Sequence, residues 1–580
     1  MNPFSRLLAA ALIPALAACA TVPREPSAPV EVGIVAINDF HGALEPPKQA
    51  VIAPDGQGAT IPVPAGGAAW LASAIDAIRA KVSNNLTVAA GDLISGSPLI
   101  SSLYLDEPAI GVLNQVGLDF SAVGNHEFDR GREEILRMQN GGCARHTKRQ
   151  PCAVEPFTGA KFRYLAASTR TESGETLLPA TALRSFGSGR RKVTVGLIGL
   201  TLKGTAQIVM PDGIAGLTFA DEAETINALV PMLKAQGADA VVVLIHQGGV
   251  QEPDGGPNGC SGFTGDIRPI LDRLDDRVDL VVSGHTHRAY VCNYATLNSA
   301  KPFLLTSAGD RGRMVTDIRL AIDPATNRVV AKSATNVIVQ SEPFRGAGGA
   351  IATSDRFPSF VPRQDVAAYV AKYAAATREF SARLVGAISG PASDRIIVGQ
   401  LIADAQLAAT QSARAQMSFM NRGGVRAALL PREDGQLTFG DIYAVQPFGN
   451  ELVTGSLTGA EIREFVEQSL DDDGGINPVI PSAGLSFTFD ARRPAGNRIV
   501  DLRFQGQPLD PAASYRVTVS NFLAGGGDGY TVLKQLRDTT PGGVDLDALE
   551  AWIGSSSPQD VPTEQRAIDL APPSPTEPAD

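Results

Sequence analysis

Short runs of β-branched and aliphatic residues alternate with helical stretches from Val30 to about Val339. The runs are typical of buried strands and lie at residues 32–37, 86–90, 120–123, 193–199, 240–245 and 280–282. The segments between them, such as residues 68–82 and 222–235, carry apolar residues at helical spacing. This alternation predicts a layered α/β domain over residues 30–345.

After a connecting segment, the second half of the chain shows the same alternation of strand-like and helical stretches. Residues 365–384 are alanine-rich and lack Gly and Pro, which predicts a linking helix within a connecting segment 346–384. Residues 385–555 are expected to form a second α/β domain, with strands at 481–490 and 515–520. Beyond Ser555 the chain is polar and Pro-rich, which predicts a disordered tail over 556–580. At about 150 residues per domain, the length allows up to four domains, although two large ones fit equally well.

Composition narrows the class of protein. Apolar residues make up 44% and charged residues 19%, so the chain can bury large cores. The net charge of -11 would repel a polyanion, and we therefore do not expect polymeric nucleic acid as a partner. The interior contains no run of 18 apolar residues, which excludes a multi-span membrane protein.

The first residues indicate export. Arg6 precedes an apolar stretch that is too short to span a bilayer but suits a signal peptide over residues 1–18. Residues 16–19 resemble the lipobox of bacterial lipoproteins, in which the cysteine, here Cys19, is lipidated. The alternative is cleavage at a small-residue site with Cys19 incidental. With Cys19 lipidated, residues 19–29 form a lipidated tether, and we expect a periplasmic protein anchored by lipid alone to a bacterial membrane, the outer one.

The remaining cysteines form an even set in an oxidising compartment, namely Cys143, Cys152, Cys260 and Cys292. Of three possible connectivities, we expect the nearest-neighbour pairs 143–152 and 260–292. Buried free thiols are the alternative.

Five of the six histidines follow directly after predicted strands. They occur in Asp39-Phe40-His41, Asn125-His126, His246 and His285-Thr286-His287, and Asp92 ends a further strand. Ligands of open α/β sheets bind beyond the carboxyl ends of strands, so these residues are expected to converge. Imidazole, carboxylate and amide oxygen together suit borderline divalent ions.

The number of ligands predicts two metal ions. Seven side chains exceed the needs of one divalent ion: Asp39, His41, Asp92, Asn125, His246, His285 and His287. One carboxylate, Asp92, is therefore expected to bridge two ions. Mn, Zn or Co would suit the set. Such a pair can hold an attacking hydroxide and a phosphoryl oxygen, which is the two-metal arrangement for ester hydrolysis.

These segments resemble the calcineurin-like metallophosphoesterases, and their order resembles the 5′-nucleotidase branch. The resemblance implies an N-terminal β-sandwich flanked by helices, a linking helix and a C-terminal α/β substrate-binding domain. Asn125-His126-Glu127-Phe128-Asp129 is similar to the branch signature. It implies that His126 stabilises charge on the phosphoryl or leaving group and that Asp129 orients His126. A carboxylate at a helix N-terminus is the alternative role for Asp129.

The second half adds segments that resemble the nucleotide-binding loops of the same branch. Residues 421–426, 447–450 and 521–530 carry the likeness. It implies that Arg426 binds phosphate or ribose oxygens and that Phe448 and Phe522 stack on the two faces of a base. Core packing is the alternative for the two phenylalanines. The other substrate-binding residues implied are Arg395, Asn421, Gly424, Asn450, Gly484 and Asp528.

The sequence therefore predicts an exported metal-dependent nucleotidase that cleaves nucleoside 5′-monophosphates by attack of a metal-bound hydroxide. A 2′,3′-cyclic-nucleotide phosphodiesterase with 3′-nucleotidase activity and a nucleotide-sugar (UDP-sugar) hydrolase use the same site and remain alternatives. A thiosulfate-ester hydrolase or a non-catalytic nucleotide receptor fits less well. Oligomeric state leaves no trace in the sequence.

Overall fold

The computed structural model describes residues 28–147, 149–346, 349–470 and 476–571. The predicted signal peptide, Cys19 and residues 572–580 of the predicted tail lie outside these ranges. In the part of the chain that is described, no helix combines the length and apolarity that a membrane crossing requires.

Two six-stranded sheets form the first half of the molecule. The first has the order Arg328–Ile338, Met314–Asp323, Val30–Ile37, Asn85–Ala89, Phe120–Ala122 and Arg163–Leu165. The second has the order Ala289–Asn293, Leu304–Ala308, Leu280–Ser283, Ala240–His246, Val193–Thr201 and Thr181–Phe186. The central strands of each sheet are parallel, so their carboxyl ends share one edge. Antiparallel strands close both edges of the second sheet, but only the Arg328–Ile338 edge of the first, whose other edge strand, Arg163–Leu165, is parallel.

The apolar residues on the facing sides of the strands explain why the two sheets stack. Val32 and Ile34 of the first sheet share a buried cluster with Leu197 and Val242 of the second. Alternate residues such as Val35 face the opposite side, where helices cover the sheet. The covering helices of this half are Ala68–Arg79, Leu99–Ser102, Glu107–Val116, Arg132–Asn140, Thr205–Ile208, Glu222–Ala235 and Ile267–Leu271. This confirms the helix-flanked β-sandwich.

A long helix, Gln364–Ser381, follows the sandwich near the predicted linking helix. It packs on the first half through Val366, Val370 and Tyr373, which are buried in the same cluster as the helices of the sandwich. The strand Leu384–Ala387 then begins the second half, so the helix ends three residues earlier than the pattern predicts.

The second half is also α/β. A five-stranded sheet has the order Ile480–Pro481, Met417–Met420, Ser514–Ser520, Glu451–Thr458 and Arg537–Val544. A four-stranded sheet has the order Gln507–Pro508, Ile499–Phe504, Leu485–Phe489 and Ala567–Asp569. The helices are Arg395–Ala409, Phe439–Val445, Gly459–Ser469, Asn521–Ala524 and Asp545–Ser555.

Two predictions for this half need correction. The strand predicted at 481–490 is divided between Ile480–Pro481 and Leu485–Phe489, because a turn with Gly484 at φ +87° separates them. The tail predicted to be disordered over 556–580 contains the strand Ala567–Asp569, which pairs in parallel with Leu485–Phe489. Backbone hydrogen bonds fix this strand, and the polar sequence around it gave no periodic signal.

Two disulfides, Cys143–Cys152 and Cys260–Cys292, confirm the nearest-neighbour pairing. The first closes a loop that follows the helix Arg132–Asn140. Within that helix Arg137 is almost fully buried and donates hydrogen bonds to Glu107 and Glu134, each at 2.7 Å. Glu107 also accepts a hydrogen bond from the backbone N–H of Cys152 at 3.0 Å. The buried ion cluster therefore ties the stapled loop to two helices.

We predict that Arg137→Met lowers the free energy of unfolding by about 3–5 kcal/mol, since it leaves Glu107 and Glu134 buried without their cation. Urea denaturation followed by circular dichroism measures the change. Arg492→Met is the matched control: Arg492 pairs with Asp490 at the surface, and its loss should cost less than about 1 kcal/mol. Equal effects of the two substitutions would contradict the role given to the buried cluster.

Candidate metal and nucleotide site

The predicted metal ligands lie where the two sheets present the carboxyl ends of their central strands. Asp39 and His41 follow Val30–Ile37, Asp92 follows Asn85–Ala89, and Asn125 follows Phe120–Ala122. His246 ends the strand Ala240–His246, and His285 and His287 follow Leu280–Ser283. The sheet topology therefore delivers loops from both sheets to one place.

The backbone at these positions is strained. Asp39, His41, Asp92, His285 and His287 all have positive φ, between 47° and 70°. Non-glycine residues rarely adopt this region, and such strain clusters at functional sites where the surrounding structure enforces it. The packing is equally tight, because a Cβ on Gly124 would lie 2.1 Å from Oδ1 of Asp92.

The ligand atoms form groups that could each hold an ion. One group is Asp39, His41 and His287, in which the Nε2 atoms of the two histidines are 3.1 Å apart. Another is Asp92, His246 and His285. Asn125 Oδ1 lies 3.0 Å from His246 Nε2 and 3.1 Å from His285 Nδ1, which places it beside the second group.

Asp92 lies between the two groups. Its Oδ2 atom is 3.0 Å from His246 Nε2 and 3.8 Å from His41 Nε2, and a third group joins it to His41 and His126. All seven predicted ligands are therefore brought together, with the proposed bridging carboxylate in the middle. This donor set of imidazole nitrogens and carboxylate and amide oxygens fits a pair of divalent ions. The ligand roles stay a prediction.

Two of the imidazoles are held neutral. Burial and the charge of Arg426 lower the pKa of His41 well below its usual value. Burial, followed by the charge of His246, lowers the pKa of His285 to about 3. A neutral imidazole keeps the lone pair that a metal ion needs.

Glu127 organises the ligand loops, and sequence reasoning assigned it no role. Its buried carboxylate accepts hydrogen bonds from the backbone N–H groups of Asp92 at 3.0 Å, Leu93 at 2.7 Å and Gly124 at 2.6 Å. Glu127 therefore clamps two of the loops together. Its position directly after His126 in the signature was the available signal.

Further hydrogen bonds orient individual ligands. The Asn38 amide donates to Asp39 Oδ2 at 2.7 Å and accepts from the N–H of Ala308 at 2.7 Å. His41 Nδ1 contacts the carbonyl of Ser95, and His246 Nδ1 contacts that of Ala90, both at 2.8 Å. These contacts leave the Nε2 atoms of both rings facing the site.

His126 and Asp129 form the predicted dyad geometry. His126 Nδ1 lies 2.7 Å from Asp129 Oδ2, because the short 3₁₀ turn His126–Phe128 brings residues three apart together. Burial opposes a charge on His126, yet Asp129 and Asp92 raise the pKa of its imidazole above the usual value. Since Asp129 lies at Nδ1, the predicted role of His126 would use the Nε2 edge of the ring, and that role stays a prediction.

Two residues of the second half contact site residues of the first half. Arg426 Nη2 lies 3.4 Å from His41 Nε2. The Phe448 ring stacks on His126, with centroids 5.7 Å apart and planes 9° from parallel. The guanidinium of Arg426 lies over the same ring, 5.7 Å from its centroid. The site therefore includes side chains from both halves of the chain.

Asn421 and Gly424 lie in one segment of the second half, and an adjoining segment contains Asp528 and Phe522, the latter in the helix Asn521–Ala524. Asn421 donates to Asp528 Oδ2 at 2.7 Å, and a Cβ on Gly424 would meet Asn421 Oδ1 at 2.7 Å. Phe522 packs against Gly527, where a Cβ would come within 2.5 Å of its ring.

The remaining predicted substrate residues are Asn450, Gly484 and Arg395, and their roles stay a prediction. Asn450 donates to Asp545 Oδ2 at 3.3 Å. Gly484 lies in the turn between Ile480–Pro481 and Leu485–Phe489, where a Cβ would lie 3.9 Å from Phe504 and 4.0 Å from Gln505. Arg395 begins the helix Arg395–Ala409 and is close enough for its charge to lower the pKa of Arg311, a further site residue that the motifs missed.

We predict that Glu127→Gln weakens metal binding by roughly 10-fold to 100-fold, because the amide cannot accept three backbone hydrogen bonds as a carboxylate does. Titration of the metal-stripped protein with Mn²⁺, followed by calorimetry, measures this. Glu133→Gln, at the exposed start of the helix Arg132–Asn140, is the matched control. Unchanged affinity in Glu127→Gln would show that the clamp is dispensable.

Comparison with known proteins identifies the family of both halves. Residues 33–289 match the calcineurin-like phosphoesterase family, and residues 376–535 match the 5'-nucleotidase C-terminal domain. A 5'-nucleotidase of Vibrio cholerae is 25% identical over 595 residues, with 96% of each chain covered.

A second relative is longer than this chain, and a solved structure has the same fold. Endonuclease YhcR of Bacillus subtilis is 30% identical over 550 residues, which are 94% of this chain and 41% of that protein. The chain thus spans less than half of that relative. The crystal structure of a 5'-nucleotidase precursor from Thermus thermophilus superposes with a TM-score of 0.73 at 24% identity, covering 93% of this chain and 100% of the other. The chain therefore belongs to the 5′-nucleotidase family of phosphoester hydrolases, with a calcineurin-like phosphoesterase domain followed by a 5′-nucleotidase C-terminal domain.

Proposed function

We propose that this protein is an exported metal-dependent nucleotidase that hydrolyses the phosphate ester of nucleoside 5′-monophosphates. The observation that carries the proposal is the contact between the two halves: Arg426 meets His41, and Phe448 stacks on His126. A cation and an aromatic ring thus lie directly beside the metal ligands. A substrate with a phosphate next to a flat base matches that arrangement.

Family membership implies divalent metal ions, and the ligand groups fit them. Asp39, His41 and His287 would hold one ion, Asn125, His246 and His285 would hold the other, and Asp92 would contact both. When bound, the ions supply Lewis-acid chemistry that acidifies water and polarises the phosphoryl group. Mn, Zn and Co are the ions we propose.

The side chains of the protein supply the remaining chemistry. Arg426 offers a planar fork of donors to phosphate oxygens. His126, which Asp129 holds at 2.7 Å, stabilises the charge that develops on the phosphoryl or leaving oxygen. Because Asp129 accepts from Nδ1, the Nε2 edge of His126 carries the interaction with the substrate.

The nucleoside is held by the second half. Phe448 and Phe522 receive the two faces of the base, an interaction that tolerates purines and pyrimidines alike. Asp528, which is bonded to Asn421, and Asn421 itself line the adjoining loops and serve the ribose. Gly424 permits the close approach of its loop.

Domain organisation and location complete the proposal. We assign residues 30–345 to the phosphoesterase domain and 346–384 to the linker. The substrate-binding domain begins at residue 385 and extends beyond the predicted boundary at 555, because the strand Ala567–Asp569 belongs to its sheet. Two disulfides support an oxidising compartment, and residues 1–19 support export with a lipid anchor on Cys19. The net charge of -11 disfavours polymeric nucleic acid as a substrate.

A substrate panel tests the reaction class. The protein is stripped with a chelator, reloaded with Mn²⁺ or Zn²⁺, and given AMP, UMP, 3′-AMP, 2′,3′-cyclic AMP, UDP-glucose and a single-stranded DNA oligonucleotide. Metal-dependent phosphate release from AMP and UMP supports the proposal. Preference for the cyclic nucleotide, the nucleotide sugar or DNA would show that the substrate belongs to that class and not to the 5′-monophosphates. Tight AMP binding without turnover would indicate a receptor.

We predict that His126→Ala lowers kcat for AMP by at least about 100-fold while the bound metal is unchanged, since the residue acts on the reacting phosphoryl group. Steady-state kinetics and elemental analysis of the same samples measure both quantities. His146→Ala removes an exposed histidine from the Cys143–Cys152 loop and serves as the matched control. Full activity in a metal-loaded His126→Ala protein would contradict the mechanism.

A further inference from the structure

Arg311 links the metal-ligand loops of the first domain to the second domain. It lies between the strands Leu304–Ala308 and Met314–Asp323 and has a positive φ of 53°. Its backbone N–H donates to the carbonyl of Asp39 at 2.7 Å. The main chain of Arg311 is therefore hydrogen-bonded to a predicted metal ligand.

The side chain crosses the domain boundary. Arg311 Nη2 donates to the backbone carbonyl of Arg426 at 2.7 Å, and Nη1 donates to Gln49 Oε1 at 3.0 Å. Asp310 Oδ2 lies 3.8 Å from its Nε. Gln49 immediately precedes the hairpin of Ala50–Pro54 and Thr60–Pro64, in the Pro- and Gly-rich loop 46–67. The guanidinium is thus held by the first domain on one side and donates to the second domain on the other.

This contact fixes the residue that carries the phosphate-binding fork. The N–H of Arg426 donates to the carbonyl of Val445 at 2.8 Å, so both main-chain polar groups of Arg426 are bonded, one within its domain and one across the boundary. Its side chain donates from Nη1 to the carbonyl of Gly423 at 3.4 Å. Nη2 faces His41, and Nε is buried without a hydrogen-bond partner among the described residues.

Arg311 places a second cation close to Arg426, since its Nη2 lies 2.7 Å from the Arg426 carbonyl, and two neighbouring cations repel each other. A purely structural link between the domains would not need a second cation beside Arg426. An anion in front of Arg426 would relieve the repulsion and satisfy the unpartnered donor.

We propose that Arg311 is a positioning residue: it holds the backbone of Arg426 across the domain boundary so that the Arg426 guanidinium faces the metal ligands and the substrate phosphate. This inference rests on the proposed nucleotidase function. It gives Arg311 no contact with the substrate, so its effect must pass through Arg426.

A double-mutant cycle tests that requirement. The proteins are wild type, Arg311→Gln, Arg426→Ala and the double variant, all loaded with Mn²⁺. We expect Arg311→Gln to raise KM for AMP and the inhibition constant of inorganic phosphate by about tenfold, with kcat changed by less than about threefold. In the Arg426→Ala background, the same substitution should change these constants by less than about twofold.

Two further measurements separate positioning from general damage. Calorimetric titration of AMP into the metal-stripped proteins repeats the cycle without turnover, in case Arg426→Ala is too slow to assay. Arg311→Lys, which can still donate to the Arg426 carbonyl, should recover part of the lost affinity. Arg492→Gln, a surface arginine paired with Asp490, should leave KM and kcat at wild-type values.

The outcomes distinguish this inference from the proposed function. A wild-type protein that hydrolyses no nucleotide would contradict the proposed nucleotidase function itself. An active wild type in which Arg311→Gln has no effect, or has the same tenfold effect with and without Arg426, would overturn the positioning role and leave the function intact.

Discussion

The site depends on left-handed backbone conformations, which residues other than glycine rarely adopt. Five predicted metal ligands have positive φ, and each such residue costs on the order of 1–3 kcal/mol, so it persists only where the surrounding structure enforces it. The enforcement comes from hydrogen bonds that a folded sandwich alone can supply. The Glu127 carboxylate binds three N–H groups of two loops, and the Asn38 amide joins Asp39 to the strand end at Ala308. The buried strands therefore hold the ligand atoms in place.

The second domain adds to the metal ligands of the first domain the side chains proposed to recognise the nucleotide. The metal ligands present nitrogen and oxygen lone pairs, and by themselves they offer nothing that recognises a nucleoside. Arg426 and Phe448 bring a cation and an aromatic face to within contact of His41 and His126. Because these groups come from different domains, the relative placement of the domains becomes part of the site. The hydrogen bond from Arg311 to the Arg426 carbonyl is one of the contacts that fix this placement.

The sequence could predict the ligands because metal-binding residue types stand directly after runs that are recognisable as buried strands. Buried strands end in Asp-x-His, Asn-His and His-x-His, and parallel strands must share their carboxyl ends. The Arg311–Arg426 contact joins residues 115 positions apart across a domain boundary, and no periodicity encodes it. Gly484 divides the strand predicted at 481–490 with a turn, which the run of apolar residues around it did not indicate. The strand Ala567–Asp569 was missed because main-chain pairing, which the side-chain pattern does not report, holds it in the sheet.

Loops from both sheets are proposed to bind two divalent ions side by side, with Asp92 between them. Anomalous scattering from crystals loaded with Mn²⁺ tests this arrangement directly. We expect two separate peaks, one beside Asp39, His41 and His287 and the other beside Asn125, His246 and His285, with Asp92 in contact with both. A single peak at full occupancy, or peaks away from these residues, would contradict it.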